Sequence, residues 1–477
     1  MSSVKVEKVP RIFLEAYELW VERKPDSVAL VNGDRKETWK DLDTRANSFA
    51  RALLDLNIKR QDRIIVSTYP QSSLEFIETW YGARKIGVVS TYLNTRYIGD
   101  EIVHIVNISA DASVVIVDKP KLPDVLKVKD KLKAKDIIVI GGDEGVPENV
   151  LVYEDLLKKK SGSKPEMPWT KPMPDDMDCF VMTTGTTGKP KGAVKYNAEH
   201  VLEIIHSQIL FENMIEKVYD NLTSESALKR RYEKKGFRPG YFARALAFTG
   251  LRPDMMELRY GDEKFFITSP LPTGAGACHA LAYLGLGASV LLPSSMSFNP
   301  QEVLKIAERE RATGLLLAGD VIALPLVNEL KRSHYNLSDL GLILSTGMIF
   351  TKDIKTATLK NIPSAIILDG HSLSEAFHIA VNVAIPGEEP HDYFETYSGV
   401  NVVLLDENGN IAKPGEPGEV VARREFRREE YFNEPEKTAK TFRVLKMPFQ
   451  GIESLWVFTG DYGVYDKNGN YKLIGRS

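Results

Sequence analysis

Apolar positions in this chain recur first at helical spacing and then in short continuous runs. Ile12, Phe13, Ala16, Leu19 and Trp20 share one face and predict an amphipathic helix over residues 11–22. Residues 28–31 and 36–39 flank Asn32-Gly33-Asp34-Arg35, a composition that predicts a hairpin turn. Leu42, Ala46, Phe49, Ala50, Leu53 and Leu54 predict a second helix over about 40–56. Strand and helix then alternate: strand 63–67, helix 73–86, strand 88–91, helix 99–108, and strands 113–117 and 136–140. Residues 142–177 are rich in proline, lysine and acidic side chains and read as a linker with one short helix at 153–159. A second alternation has strands at 265–269, 288–292, 314–318, 342–345 and 365–368. Beyond about residue 384 the pattern changes to short strands at 400–405, 419–421, 456–459 and 471–474. The turn sequences 407–410, 414–417 and 466–470 separate them. The predicted fold class is α/β. Two packed α/β subdomains, 1–195 and 196–384, precede a small antiparallel β-barrel or sheet over 385–474.

Composition narrows the function classes. The chain has 477 residues, 43% hydrophobic and 27% charged, enough for more than one compact core. A net charge of −3 carries no global basic field, so a nucleic-acid partner is not expected. Residues 228–235 hold five lysines and arginines, which fits an exposed helix or a basic patch for a membrane or partner. Two cysteines, Cys179 and Cys278, are no disulfide framework and read as core thiols. The N-terminus lacks the apolar core of a signal peptide, and the apolar runs near 279–292 and 313–327 are too short and interrupted to span a bilayer. A cytoplasmic protein without a transmembrane segment is expected, its oligomeric state open.

The candidate chemistry centres on Thr183–Gly192, with four threonines, three glycines, two lysines, one proline and no bulky apolar side chain. It follows Cys179-Phe180-Val181-Met182, a short buried-strand pattern. Glycines after a strand let backbone N–H groups converge, and hydroxyls and ammonium groups add to a cradle for a polyanion such as a nucleoside triphosphate. The same composition also suits a solvated loop. Two common phosphate loops do not fit. Gly188-Lys189 is followed by Pro190 where the Walker pattern needs Ser or Thr. Gly274-Ala275-Gly276 and Gly285-Leu286-Gly287 lack the third glycine of the dinucleotide pattern.

The run closely resembles the phosphate loop of adenylate-forming enzymes, Tyr-Thr-Ser-Gly-Thr-Thr-Gly-x-Pro-Lys-Gly, with Met182 for the tyrosine and Thr184 for the serine. That family includes acyl-CoA synthetases, luciferases and peptide-synthetase adenylation domains. Further matches follow in family order. The segments 38–47 and 82–87 resemble its two opening motifs, and Ser345-Thr346-Gly347 resembles its adenine-side Ser-Gly-Gly element. Asp369-Gly370-His371-Ser372-Leu373-Ser374-Glu375 resembles Tyr-Gly-x-Thr-Glu, with His371 and Ser372 departing from the pattern. Segment 269–276 stands where the family has Pro-Leu-x-His-x-x-Gly, with Thr273 for the histidine; His279 reads as an ordinary helix residue. Residues 430–442 resemble Gly-Tyr-x-x-x-Pro-x-x-Thr-x-x-x-Phe, Thr459-Gly460-Asp461 resembles Thr-Gly-Asp, and Gly475-Arg476 resembles the Gly-Arg before the family's hinge.

The resemblance implies a division of labour. Thr183, Thr184, Gly185, Thr186, Thr187, Gly188 and Lys191 would grip phosphate. Ser345, Thr346, Gly347, Asp369, Gly370, His371 and Ser372 would line the adenine, and Asp461 and Arg476 the ribose. Glu375 would hold Mg²⁺, and Thr273 and Gly274 would border the acyl chain. Thr184, Thr187, Lys191 and Glu375 are the catalytic candidates. The implied activity is ATP-dependent conversion of a fatty or other hydrophobic carboxylic acid to acyl-AMP, then transfer to coenzyme A. The family continues past its hinge into a C-terminal domain bearing a further lysine, so 475–477 are expected to begin that hinge and the domain to be this chain's missing partner. A nucleotide- and acyl-binding fragment without full catalysis, or half of a split enzyme, is the alternative.

Overall fold

The computed structural model describes residues 9–160, 162–166, 171–184, 189–396, 402–424, 430–446 and 453–476. The chain divides into two compact units, 1–202 with 248–310, and 203–247 with 311–477.

In the first unit the predicted helix spans Phe13–Arg23, and the hairpin pairs Val28–Asn32 with Arg35–Thr38. Gly33 at the turn has φ +61°, and a Cβ there would lie 2.5 Å from Ser294 Oγ, so the position calls for glycine twice over. The helix Trp39–Asp55 starts where Thr38 Oγ1 accepts the Asp41 N–H at 3.1 Å and the Asp41 carboxylate accepts the Thr38 N–H at 3.0 Å. This reciprocal cap satisfies two N–H groups that would otherwise lack partners. A seven-stranded sheet runs in spatial order Leu151–Val152, Asp136–Ile140, Val114–Asp118, Arg63–Ser67, Val89–Tyr92, Met177–Thr184 and Pro190–Tyr196. All pairs are parallel except the last. Parallel strands are buried on both faces, which is why Ile64-Ile65-Val66 and Val114–Val117 read as unbroken apolar runs. On one face Ile65, Val115 and Val117 pack with Leu93, Ile102, Ile105 and Val106. The hairpin joins a second parallel set, in the order Lys264–Ile267, Ser289–Leu292, Val28–Asn32.

Two stretches depart from expectation. The helix expected over 99–108 is α-helical at Asp100–His104 and widens into a π turn at Ile105–Ser109. Residues 142–177, read as a linker, are instead built into the unit where described. The short helix forms as expected, at Tyr153–Lys158, but Leu151–Val152 extends the sheet, Arg45 pairs with Glu154 at 2.6 Å and Arg60 with Asp176 at 2.5 Å. Charges that look solvated in sequence have counter-charges more than a hundred residues away.

Arg45 also serves two buried carboxylates, Glu78 at 2.7 Å and Glu37 at 3.8 Å. Burial, and then the neighbouring Glu78 charge, push the Glu37 carboxyl well up. The folded protein therefore keeps a proton that the unfolded chain releases near its ordinary value of about 4.3. Between those two values the native state binds more protons than the unfolded one. This contribution to stability is fully present below the unfolded value and is lost as pH rises toward the folded one. Urea midpoints are expected to fall between pH 5 and pH 8, and Glu37→Gln, which keeps a neutral side chain, should flatten that slope. Equal slopes in both proteins would show Glu37 to be ionised.

In the second unit Gly314–Leu317, Leu342–Thr346 and Ile366–Leu373 are parallel, and Phe377–Ala384 returns antiparallel along the last of them. The basic segment forms the helix Ala227–Lys235, with Ala227, Leu228 and Tyr232 buried. Arg230 donates to the carbonyls of Ser224, Glu225 and Ser338, and Arg231 to those of Asp339 and Thr313. Both arginines thus fasten neighbouring backbone, which argues against a free basic patch. The C-terminal strands form an antiparallel sheet. Val402–Leu405, Pro417–Arg424, Glu453–Tyr465 and Phe442–Lys446 are neighbours in that order, and Tyr471–Arg476 also pairs with Glu453–Tyr465. Val403, Leu405, Val421 and Trp456 form its core.

Candidate active site

The glycine- and threonine-rich run joins two antiparallel strands of the first unit, Met177–Thr184 and Pro190–Tyr196. Thr183 stands opposite Lys191, and Met182 opposite Gly192. The return strand is seated closely. The Ser109 hydroxyl donates to the Pro190 carbonyl at 2.8 Å, and a Cβ on Gly192 would lie 3.0 Å from the Ser109 carbonyl. The π turn therefore supports the strand that carries Lys191, which is buried. Gly185, Thr186, Thr187 and Gly188 lie outside the described residues, as does the Thr184 side chain. Thr273 and Gly274, also in the first unit, open the helix Gly274–Leu286. The Thr273 hydroxyl accepts the Gly276 N–H and donates to the Pro270 carbonyl. His279 is a buried residue of that helix, its Nδ1 2.7 Å from the Ala275 carbonyl oxygen, and burial lowers its pKa to about 4.

A buried polar cluster lies under the start of the strand Met177–Thr184. Asp178 receives two bonds from Arg84, both 2.7 Å, and a third contact from His200 Nδ1 at 2.7 Å. Cys179 Sγ is 3.9 Å from the same nitrogen. Asp178, Cys179 and His200 have the donor types of a metal centre. The Arg84 guanidinium already supplies positive charge there; burial raises the Asp178 carboxyl, but Arg84 and the His200 contact together more than offset it and hold it far below the usual range. This is a structural ion pair.

In the second unit, residues from five separate stretches converge. The strand Ile366–Leu373 runs through the Asp369–Ser372 motif instead of ending before it, and Ser374-Glu375-Ala376 is the turn into Phe377–Ala384. Glu375 is buried and accepts the Tyr431 phenol on Oε1 at 2.5 Å. His371 Nδ1 is 2.7 Å from the Tyr471 hydroxyl, and its Nε2 is 3.1 Å from Asp461 Oδ2. Arg476 Nε lies 3.4 Å from Asp461 Oδ1. The Thr346 and Ser372 hydroxyls bond to each other.

Ser345 and Asp369 face inward. Ser345 Oγ accepts the Gly319 N–H at 3.2 Å, and Asp369 pairs with the buried Lys355 at 2.8 Å, which also donates to Asn382 at 2.7 Å. Burial pushes the Asp369 carboxyl up, against the pull of Lys355. Gly347 has φ +81°, a conformation L side chains rarely adopt. Gly370 passes close to His378, whose Cδ2 would be 2.7 Å from an added Cβ.

A family model for AMP-binding enzyme matches residues 17–217 and 241–432. The chain belongs to this family. Among curated relatives it is similar to the medium/long-chain-fatty-acid–CoA/3-oxocholest-4-en-26-oate–CoA ligase of Mycolicibacterium smegmatis. Identity is 26% over 470 residues, covering 96% of this chain and 76% of the relative. The 3-oxocholest-4-en-26-oate–CoA ligase of Rhodococcus rhodochrous is 25% identical over 470 residues, covering 96% of this chain and 76% of that one. Among solved structures, the anthranilate CoA ligase AuaEII in complex with anthranoyl-AMP superposes with a TM-score of 0.75. It is 23% identical, with 100% of this chain and 80% of that one covered. The Klebsiella oxytoca NpsA N-terminal subdomain gives a TM-score of 0.67 at 17% identity, with 98% of this chain and 100% of that one covered. At such identities the structures establish the shared fold.

Placed on this AMP-binding enzyme, the motif reading reaches Asp369, Glu375, His371, Asp461 and Arg476, but not the partners Lys355, Tyr431 and Tyr471. Tyr431 lies inside the proline-containing motif at 430–442, a signal that could have singled it out. Tyr471 and Lys355 occur as ordinary strand and helix residues with no comparable signal. No helix among the described residues is long and apolar enough to cross a membrane.

Proposed function

We propose that this AMP-binding enzyme is an AMP-forming acyl-CoA synthetase acting on medium- or long-chain fatty acids or on a steroid side-chain acid. The observation that supports it best is the convergence of Glu375, His371, Asp461 and Arg476, which the family motifs assign to one nucleotide. The substrate carboxylate attacks the α-phosphorus of ATP, and the bond to pyrophosphate breaks. The thiolate of coenzyme A then attacks the acyl carbonyl and AMP leaves, giving the thioester. A carboxylate is already nucleophilic, so catalysis rests on positioning and on stabilising phosphate charge. The run 183–192 supplies N–H groups, hydroxyls and Lys191 for phosphate, and Asp461 can accept both ribose hydroxyls. Glu375 fits a hard cation, because Tyr431 occupies one carboxylate oxygen and leaves the other for Mg²⁺, which takes few protein oxygens alongside phosphate. Bound there, Mg²⁺ would neutralise phosphate charge. Thr273 and Gly274 are proposed to border the acyl chain.

ATP–pyrophosphate exchange across a panel of carboxylic acids tests the reading. Exchange is expected with medium- and long-chain fatty acids or the steroid acid. Nucleotide binding without exchange for any acid would overturn it in favour of a binding fragment.

A further inference from the structure

We propose that His371 is a positioning residue for the ribose carboxylate, locked by a Tyr471–His371–Asp461 chain as a neutral imidazole with its proton on Nε2. The inference rests on the enzymatic reading above and deepens it. The resemblance places His371 against the adenine, yet neither ring nitrogen is spare. Nδ1 is 2.7 Å from the Tyr471 hydroxyl and Nε2 is 3.1 Å from Asp461 Oδ2. The His371 side chain is only 5% exposed, so it offers no open face to a purine.

The proton positions follow from the partners. Tyr471 is completely buried and fixed by backbone bonds to Phe394 in both directions, at 2.7 and 3.1 Å. Burial keeps its phenol protonated, so the hydroxyl has a proton to give Nδ1, and the Asp461 carboxylate facing Nε2 can only accept. The ring proton then sits on Nε2 and points at the Asp461 carboxylate, since the hydrogen bond at one nitrogen selects the tautomer at the other. Asp461 is held from its other sides by Arg476 on Oδ1 at 3.4 Å and by its own N–H, which donates to Thr459 Oγ1 at 3.0 Å. Each carboxylate oxygen has capacity for a second donor, so the anchored group can still take the two hydroxyls of a ribose. A tyrosine at 371 could not bond both Tyr471 and Asp461 through two ring atoms, which gives this chain's departure from the family pattern a physical role.

NMR and calorimetry decide it. Long-range nitrogen NMR of the ligand-free protein should show a neutral Nε2–H imidazole whose signals vanish in His371→Asn. Calorimetry should show wild-type protein binding ATP more tightly than 2′,3′-dideoxy-ATP. His371→Asn, which has no donor at the Nε2 position, should lose about tenfold for ATP and little for the dideoxy analogue, as expected for losing one charge-assisted bond. His371→Gln places an amide N–H near the Nε2 position and should keep ATP affinity and ribose discrimination within about threefold of wild type. It also keeps the test open should the Asn variant fold poorly. An Nδ1–H tautomer, an unchanged ATP-to-dideoxy ratio in the Asn variant, or tighter ATP binding by His371→Tyr would overturn the proposal. Wild-type protein that binds no ATP would overturn the enzymatic reading and this one with it. Binding with an unchanged ratio in the Asn variant would remove this one alone.

Discussion

Glu375→Gln is expected to lower acid-dependent ATP–pyrophosphate exchange by about 10²–10³-fold, the size typical of losing one preorganised electrostatic contact. The amide oxygen can still accept the Tyr431 phenol, which reaches Glu375 at 2.5 Å, so the hairpin turn should hold its shape. What disappears is the negative charge that suits a hard cation. The loss should therefore be partly recovered by raising Mg²⁺, with a higher half-saturating concentration than for wild type, while thermal stability stays close to wild type. Exchange within twofold of wild type at all Mg²⁺ concentrations would remove Glu375 from the metal role.

Asp178→Asn is expected to destabilise the protein by about 3–5 kcal/mol, because it strands the buried Arg84 guanidinium without its counter-charge. Arg84 and Asp178 are 3% and 1% exposed, and two bonds of 2.7 Å join them. Arg84 also lies over the Phe13 ring at 4.7 Å, and Phe13 stacks on His200 at 5.3 Å, so the cation is packed into apolar surroundings that cannot rehydrate it. Replacing both partners together, as Arg84→Met with Asp178→Leu, should cost less than the single change, since no lone charge remains. Urea unfolding of the three variants checks this. A single variant less than about 1 kcal/mol below wild type, or a double variant worse than the single, would show that the pair does not hold this layer.

Much of the architecture is legible along the chain because hydrophobic periodicity is a local property. Strands 63–67 and 136–140 fall where their apolar runs stand, and the helix over 40–56 is announced by its apolar stripe. The motif residues are legible for a different reason, since the family resemblance rests on glycine, threonine and lysine at short fixed spacing. The π turn at Ile105–Ser109 carried no such mark, because its role is to seat Pro190, far away in sequence. Residues 142–177 misled by composition, since Glu154 and Asp176 look solvated until Arg45 and Arg60 are brought to them. The helix over 228–235 is legible as a helix, but the anchoring of its arginines is not, for the carbonyls they satisfy include those of Thr313, Ser338 and Asp339.

By itself, the sequence determined the alternation of strands and helices, the glycine- and threonine-rich run, the order of its companion motifs and hence the family. Only the tertiary structure decided which partner each polar side chain takes. Arg84 finds Asp178 across 94 residues, and His371 finds Asp461 and Tyr471 across 90 and 100. A buried polar group must be paired wherever in the chain its partner lies, so these choices leave no periodic trace. That is why a histidine that resembles an adenine contact in the sequence is bonded instead to Asp461 and Tyr471 in the fold.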